Sequence, residues 1–251
     1  MMKKSISNLI RTPIRNLFKQ RAEWKLLAGI ECLSQASLEQ LKNVEWLEAA
    51  IGRIGLKYLP SPYHEVYGDD VHRMNFHGDG LFQIPRQFAR FLALAAAHHP
   101  KSFLEIGTNN GWSAAVAAAY LARFVPDFHL TTIDIADHFR AKDALRERVS
   151  VQFVLGKTSD DFKGMPFDVC FIDGDHSFPW VERDFNNVGQ FAKVCAFHDI
   201  NDLTTDRNEG GGSRKHWNQI KGELKDRGTF TELLDHSKNQ PVMGIGVYVR
   251  S

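Results

Sequence analysis

The chain has 251 residues, of which 43% are hydrophobic and 24% are charged, and its length predicts one large domain or one domain with an appendage. Its 31 Lys and Arg residues nearly balance 30 Asp and Glu residues, which argues against a protein built mainly to bind nucleic acid. The three cysteines, Cys32, Cys170 and Cys195, show no metal-binding spacing and are typical of a reduced, cytoplasmic protein. No apolar run reaches the roughly 18 residues that a membrane span requires. Disordered, collagen-like, disulfide-stapled and transmembrane classes are thereby excluded.

The amino terminus is basic. Residues 1–25 contain seven Lys and Arg residues and a single acid, Glu23. Apolar residues recur there at helical spacing, which predicts an amphipathic helix: Ile6, Leu9, Ile10, Ile14, Leu17 and Phe18. We favour packing of this helix on its own domain or on another subunit of a homo-oligomer. Peripheral contact with an anionic membrane is the alternative.

The first 80 residues form a predicted helical extension to a domain that covers residues 81–251. Residues 1–60 are mostly helical in pattern, with a second periodic stretch over 38–54. Residues 61–80 are rich in Gly, Asp, His and aromatic residues and have no sustained period, which predicts a functional loop. Helical spacing returns over 81–97.

From Ser102 onward, short apolar runs alternate with helical patterns. Strands are predicted at 102–107, 129–135, 151–156, 167–173 and 193–200, with helices at 111–124, 138–148 and 179–191. Near-continuous apolar strands separated by helices indicate a parallel sheet that is covered on both faces. Two further strands, at 229–236 and 242–250, follow each other across a polar turn. The fold class is therefore an open, mostly parallel, Rossmann-like α/β sheet of about seven strands with an antiparallel carboxy-terminal hairpin.

The turn after the first of these strands has the sequence Glu105-Ile-Gly107-Thr-Asn-Asn-Gly111. Gly107 and Gly111 bracket a tight turn into a helix whose free backbone N–H groups can face a ligand. The GxGxxG dinucleotide fingerprint is absent, because the third glycine is missing at the required offset. Glu105 carries negative charge to the strand end, which suits a cationic ligand better than a pyrophosphate. A plain strand–turn–helix connection is the alternative.

Asp134 ends the second strand of this region. An acid at that position can accept hydrogen bonds from both hydroxyls of a ribose. Because the position holds an acid and not an arginine, we do not expect a 2′-phosphate to be bound. Together with the glycine turn, Asp134 predicts a nucleoside site.

Acidic and imidazole side chains follow the next two neighbouring strands. Asp173, Asp175 and His176 come directly after the strand at 167–173, and His198 and Asp199 end the strand at 193–200. Asp173, His198 and Asp199 are expected to converge and to bind a divalent metal, with Mg²⁺ or Mn²⁺ favoured because no thiolate is offered. The alternative is that His198 and Asp199 only form hydrogen bonds with neighbouring loops.

The ordered series FLEIGTNNGWS, TTIDI, FIDGDHSFPWVERDF, FHDI, GGGSRKHWNQIK and MGIGVYV resembles the class I S-adenosylmethionine-dependent methyltransferases over residues 81–250. More narrowly, it resembles the bacterial small-molecule O-methyltransferases with the IDGDHS signature. That group is similar to catechol O-methyltransferases and to the cephalosporin-hydroxylase-like and macrolide-sugar methyltransferases.

This resemblance implies a role for each matching residue. S-adenosylmethionine would be bound by Gln83, Glu105, Gly107, Asn109, Gly111, Ser113, Asp134, Ile135, Thr158, Ser159 and Asp173. Asp173 and Asp199 match metal ligands, but Ile200 stands where the catechol-type enzymes have asparagine, so the third ligand is His198 or Asn201. His176 has the spacing at which those enzymes carry a lysine base, which makes Asp173 and His176 the predicted catalytic residues, His176 as general base.

The sequence thus predicts O-methylation of a small molecule. Residues 61–80 and 203–216 are predicted loops over the acceptor, and their polar side chains favour a sugar or another polyhydroxylated metabolite. Two alternatives are an NAD-dependent oxidoreductase on the same kind of sheet and a cofactor-binding homologue without activity. Ile200 is the feature that favours an inactive homologue.

Overall fold

The computed structural model describes residues 3–57, 74–75, 80–139, 145, 148–201, 211–237 and 240–251. Most of the predicted loop at 61–80, most of the predicted helix at 138–148 and residues 203–210 of the second predicted loop lie outside the described residues. The site is therefore built from the sheet and the helices beside it.

The strands form a small pair and one large sheet. The pair consists of β1 (Leu56–Lys57) and β2 (Met74–Asn75), which are parallel. The large sheet contains β3 (Ser102–Ile106), β4 (His129–Asp134), β5 (Val151–Leu155), β6 (Val169–Ile172), β7 (Val194–His198), β8 (Gly228–Ser237) and β9 (Gln240–Arg250). Its order is β5-β4-β3-β6-β7-β9-β8, and β9 runs antiparallel to both of its neighbours. The predicted seven-stranded sheet and its terminal hairpin are confirmed.

Seven α-helices occur among the described residues. They are α1 (Lys3–Gln35), α2 (Leu38–Lys42), α3 (Val44–Ile54), α4 (Pro85–Ala97), α5 (Trp112–Leu121), α6 (Phe178–Asn187) and α7 (Gly212–Glu223). The periodic stretch over 38–54 is divided at Asn43, whose side chain accepts a hydrogen bond from the Trp46 backbone and begins α3. The helix predicted from residue 81 begins at Pro85, because proline is favoured in a first helical turn.

Helix α7 was not predicted. The sequence interpretation placed 203–216 in a loop, whereas the chain is helical from Gly212. Gly212 cannot carry a side chain, because an added Cβ would lie 2.1 Å from the Phe178 backbone nitrogen. The start of α7 is therefore pressed against the segment that contains His176, and the Ser213 backbone N–H donates to the His176 carbonyl.

The amino-terminal helix α1 confirms the predicted helical extension. Its inner face buries Ala22, Leu26, Ile30 and Leu33 in a cluster that also contains residues of α3, α4 and α5. Leu17 and Trp24 lie on the opposite face and are 64% and 68% exposed. In the part of the chain that the structure describes, no helix is long and apolar enough to cross a membrane.

The sheet order fixes where a ligand can bind. β3 pairs with β4 on one side and with β6 on the other, so the order of the strands reverses at β3. Crossover connections leave in opposite directions from such a point and open a crevice at the carboxyl ends of the strands. The segments after β3, β4, β6 and β7 all meet at this edge.

His216 of α7 is buried in an aromatic box. Its ring lies 5.2 Å from Phe185 and 5.8 Å from both Phe178 and Phe197, measured between ring centroids. Neither ring nitrogen has a hydrogen-bond partner among the described residues. Burial lowers the pKa of His216 from 6.5 to about 4, so the folded protein keeps this imidazole neutral.

We expect acid to destabilise the protein through His216. The unfolded chain takes up a proton at this residue below about pH 6.5, whereas the folded protein does so only near pH 4, so stability falls by about 3 kcal/mol across that interval. His216→Phe, which preserves the aromatic contacts, should lack this component. The measurement is the free energy of unfolding of both proteins from pH 7 to pH 4. Parallel curves would contradict the prediction.

Candidate active site

A cavity of about 290 Å³ lies at the carboxyl edge of the sheet. Its wall is formed by Ile106, Gly107, Asn109, Ile133, Asp134, Ile135, Lys157, Thr158, Ser159, Asp173, Gly174, Asp175, Trp180, Arg183 and Asp184. Seven of the residues predicted to bind a cofactor are therefore on this wall: Gly107, Asn109, Asp134, Ile135, Thr158, Ser159 and Asp173. The other four, Gln83, Glu105, Gly111 and Ser113, lie outside it.

The turn after β3 depends on glycine at two positions. Gly107 has φ 101° and Gly111 has φ 79°, in the region that other residues avoid. A Cβ on Gly107 would lie 2.1 Å from the Asp173 carbonyl oxygen, and one on Gly111 would lie 2.0 Å from the Phe139 ring. Gly107 therefore lets the turns after β3 and β6 touch, and Gly111 begins α5.

Glu105 lies behind this turn and is 1% exposed. Its carboxyl group accepts hydrogen bonds of 2.6 Å from both the Ser113 and Thr132 hydroxyls. Burial raises the pKa of Glu105 to about 8, despite these two donors. The side chain is therefore largely protonated at neutral pH, and a cation bound nearby would favour its ionised form.

Asp134 faces the cavity from the end of β4. Its Oδ2 accepts a hydrogen bond of 2.9 Å from the Asn109 backbone, and its Oδ1 accepts one of 3.0 Å from the Ala136 backbone. Each carboxylate oxygen can accept a further hydrogen bond. The next residue, Ile135, is 75% exposed and forms an apolar part of the same wall.

Helix α6 contributes wall residues that the sequence analysis missed. The Arg183 guanidinium lies 3.8 Å from the centroid of the Trp180 ring, and both residues line the cavity. Asp184 accepts a 2.6 Å hydrogen bond from Ser159, and burial raises the pKa of Asp184 to about 6. A helix that follows β6 must begin at the carboxyl edge of the sheet. The helix predicted after this strand could therefore have been expected to place residues of its first turns beside the cavity.

Four polar side chains form a cluster beside the cavity, which we call the Asp173 cluster: Asp173, His176, His198 and Asp199. Asp173 Oδ1 lies 2.8 Å from His198 Nδ1 and 3.4 Å from His176 Nε2. Asp199 Oδ1 lies 3.3 Å from His198 Nδ1, and Asp199 Oδ2 lies 3.4 Å from His176 Nδ1. Gln83 Nε2 donates to Asp173 Oδ2 over 2.7 Å, which places Gln83 behind the cluster.

The cluster arises because β6 and β7 are adjacent and parallel. Asp173 and His176 follow β6, whereas His198 ends β7 and Asp199 follows it in a left-handed conformation with φ 58°. The structure therefore brings together all three residues that were predicted to bind a metal, and it adds His176.

Opposite charges govern the protonation of the cluster. Burial disfavours the charged form of Asp173, but His198 and His176 outweigh burial and lower the pKa of Asp173. Burial likewise disfavours protonated His198, but Asp173 and Asp199 outweigh it and raise the pKa of His198. Asp173 is therefore ionised, and it lies on the cavity wall and in the cluster at the same time.

Comparisons with known proteins agree with this architecture. Residues 104–200 match the family model of a methyltransferase domain, whereas no curated protein sequence matches the chain. The structure is similar to the O-methyltransferase TomG from Streptomyces achromogenes, which is involved in tomaymycin synthesis and was solved in complex with SAM. The two sequences are 21% identical, the TM-score is 0.52, and the match covers 68% of this chain and 82% of TomG. It is also similar to an O-methyltransferase from Bacillus cereus in complex with SAH, with 18% identity, a TM-score of 0.51, and coverage of 86% and 93%. The chain therefore has the Rossmann-like fold of these two O-methyltransferases.

Proposed function

We propose that the chain is an S-adenosylmethionine-dependent methyltransferase that acts on a hydroxyl group of a small molecule. The observation that carries the proposal is the position of Asp173, which lines the cavity after β3 and β4 and also belongs to the Asp173 cluster. Asp173 thus lies between two regions. The cavity on one side is the proposed nucleoside site, and the Asp173 cluster on the other side has the polar groups that an acceptor hydroxyl needs. The matching methyltransferase-domain model over residues 104–200 supports this interpretation.

The cavity suggests how the cofactor lies. Asp134 would accept hydrogen bonds from the two ribose hydroxyls, while Ile135 and Trp180, with Thr158 and Ser159 beside them, would offer apolar surface to the adenine. Gly107 and Asp173 would hold the methionine end, and the negative charge of Asp173 suits the cofactor's cationic groups. Glu105 accepts a hydrogen bond from Ser113 behind this part of the cavity, and a bound cation would favour the ionised form of Glu105.

The reaction requires removal of one proton from the acceptor. The acceptor oxygen forms a bond to the methyl carbon as the bond from that carbon to sulfur breaks, and the sulfur loses its positive charge. In the arrangement predicted from sequence, His176 takes the hydroxyl proton as general base. Asp173 and Asp199 face its two ring nitrogens and would stabilise the resulting imidazolium.

A metal ion is the second component of this proposal. The sequence predicted Mg²⁺ or Mn²⁺ at Asp173, His198 and Asp199. Asp173 and His198, together with His176, each have a donor atom within 4.8 Å of the others, which supports a cation site in the Asp173 cluster. A bound ion would lower the pKa of the acceptor hydroxyl. His176 lies at the acceptor end under either arrangement, so its importance for turnover does not depend on which of them operates. A sugar or other hydroxylated acceptor, a homo-oligomer, and membrane contact through α1 stay predictions.

The proposal is tested by calorimetric titration with S-adenosylmethionine, SAH and NAD. We expect the first two to bind with one site per chain and NAD not to bind, because the turn after β3 lacks the dinucleotide glycine pattern. Tight binding of NAD without S-adenosylmethionine would overturn the proposal in favour of an oxidoreductase. Binding of neither would also overturn it.

A further inference from the structure

Gln87 is a buried amide on a helix face that is otherwise apolar. It lies in α4 and is 1% exposed, and the other buried residues of this helix, such as Phe88 and Leu92, are all apolar. A buried polar side chain destabilises the folded protein unless it forms hydrogen bonds, so a specific partner is expected. The Gly244 backbone N–H donates to Gln87 Oε1 over 3.1 Å. Gln87 therefore connects α4 to β9 at Gly244.

Gly244 in turn holds the segment that follows β7. Its carbonyl oxygen accepts a hydrogen bond of 3.2 Å from the Ile200 backbone N–H. The neighbouring Met243 carbonyl accepts one of 2.9 Å from the Asn201 backbone N–H. The position of this segment is therefore coupled to Gln87 through the backbone of Gly244.

This coupling fixes Asp199, which lies directly before Ile200. Asp199 and Met243 have φ 58° and φ 50°, a left-handed conformation that residues other than glycine seldom adopt, and Gly244 has φ 87°. Backbone in such a conformation persists only where surrounding contacts hold it. The hydrogen bonds at Gly244 are contacts of this kind, and they leave Asp199 Oδ2 3.4 Å from His176 Nδ1.

We infer that Gln87 is a positioning residue of the active site, which holds Asp199 against His176. Gln83, four residues earlier, donates directly to Asp173 Oδ2. The two glutamines at the start of α4 therefore position both carboxylates that face His176. The importance of Gln87 for methyl transfer rests on the proposed function, whereas its effect on the surroundings of His176 does not.

Three variants of the full-length protein separate this role from a merely structural one. Gln87→Met has a similar length but no oxygen that can accept the Gly244 N–H, whereas Gln87→Glu keeps such an oxygen. Tyr120→Phe is the matched control, because the Tyr120 hydroxyl also forms a buried hydrogen bond with the backbone, donating over 3.1 Å to the Leu41 carbonyl between α5 and α2. Its loss should lower stability by a similar amount without touching the site.

The first measurement needs no acceptor. It compares the ring-nitrogen resonances of His176 at a single pH, recorded by proton–nitrogen correlation NMR spectroscopy and assigned with His176→Ala. We expect Gln87→Met to shift these resonances because Asp199 no longer faces the ring, and we expect Gln87→Glu and Tyr120→Phe to match the unchanged protein. Unshifted resonances in Gln87→Met would overturn the inference, and so would an equal shift in either of the other two variants.

The second measurement is methyl transfer to an acceptor that the unchanged protein labels. Gln87→Met should lower kcat at least about 10-fold with little change in KM or in S-adenosylmethionine affinity, because a displacement of about 1 Å at a catalytic group can cost about 100-fold in rate. Gln87→Glu should restore kcat. An unchanged kcat in Gln87→Met would overturn the inference.

Failure of the proposed function is distinguishable from failure of the inference. If the unchanged protein labels no acceptor, the proposed function is contradicted, and the NMR comparison alone decides the role of Gln87. Circular dichroism shows whether Gln87→Met folds. If it does not, Gln87→Asn, which keeps an amide but shortens its reach, takes its place in both measurements.

Discussion

Replacement of His176 by alanine is expected to lower methyl transfer at least about 100-fold, the usual scale for the loss of a general base. The same loss is expected if His176 holds a metal, because the acceptor then loses the group that orients it. His176 is not on the wall of the cofactor cavity, so the affinity for S-adenosylmethionine should hardly change. The measurement compares turnover and calorimetric affinity of the variant with those of the unchanged protein.

His129→Ala is a suitable control for the His176 variant, because His129 is an exposed residue at the opposite end of β4. Its turnover should match that of the unchanged protein. Turnover of His176→Ala at the level of this control would remove His176 from the mechanism. A parallel loss of cofactor affinity would instead indicate that the whole edge of the sheet is disturbed.

Replacement of Asp134 by alanine is expected to weaken S-adenosylmethionine binding by about 10- to 100-fold. Hydrogen bonds to charged groups contribute about 1.5–3 kcal/mol, and this side chain is proposed to accept both ribose hydroxyls. Asp134→Asn keeps one acceptor oxygen and should lie between the alanine variant and the unchanged protein. Calorimetric titration of both variants gives the comparison.

Asp134 also accepts backbone hydrogen bonds from Asn109 and Ala136, so the stability of each variant must be measured alongside its affinity. Asp127→Ala is the matched control, because Asp127 is an exposed aspartate in a turn away from the cavity. Unchanged affinity in a folded Asp134→Ala protein would contradict the ribose assignment. Equal loss in the Asp127 variant would show that the effect is not specific.

The large sheet was predictable because its central strands are buried on both faces. β6 and β7 are fully buried, so they appear in the sequence as short apolar runs between helical patterns. Helix α7 was not predictable in the same way, because its buried face includes Ser213 and His216 beside Trp217 and Ile220. Polar residues on an inner face hide the helical period, and the burial of His216 is explained only by the three aromatic rings around it.

The site was predictable to the extent that strand order determines it. Asp173, His198 and Asp199 meet because β6 and β7 are neighbours, which the alternation of strands and helices already suggested. Their pairwise geometry depends on side-chain rotation, so the contacts of His176 with both carboxylates could not be predicted from the sequence. The raised pKa of Glu105 likewise depends on how deeply β3 is buried, whereas the sequence alone indicated an ordinary charged glutamate.

The central claim is tested most directly by transfer of a labelled methyl group from S-adenosylmethionine to a panel of nucleotide sugars, catechols and glycosylated lipids. The account predicts that a hydroxylated acceptor becomes labelled, that SAH is released in equal amount, and that Asp173→Asn abolishes both. Asp127→Ala should retain them. The account would be contradicted if the protein bound S-adenosylmethionine but labelled every acceptor class no more than the Asp173→Asn variant does. That result would indicate a cofactor-binding homologue without activity.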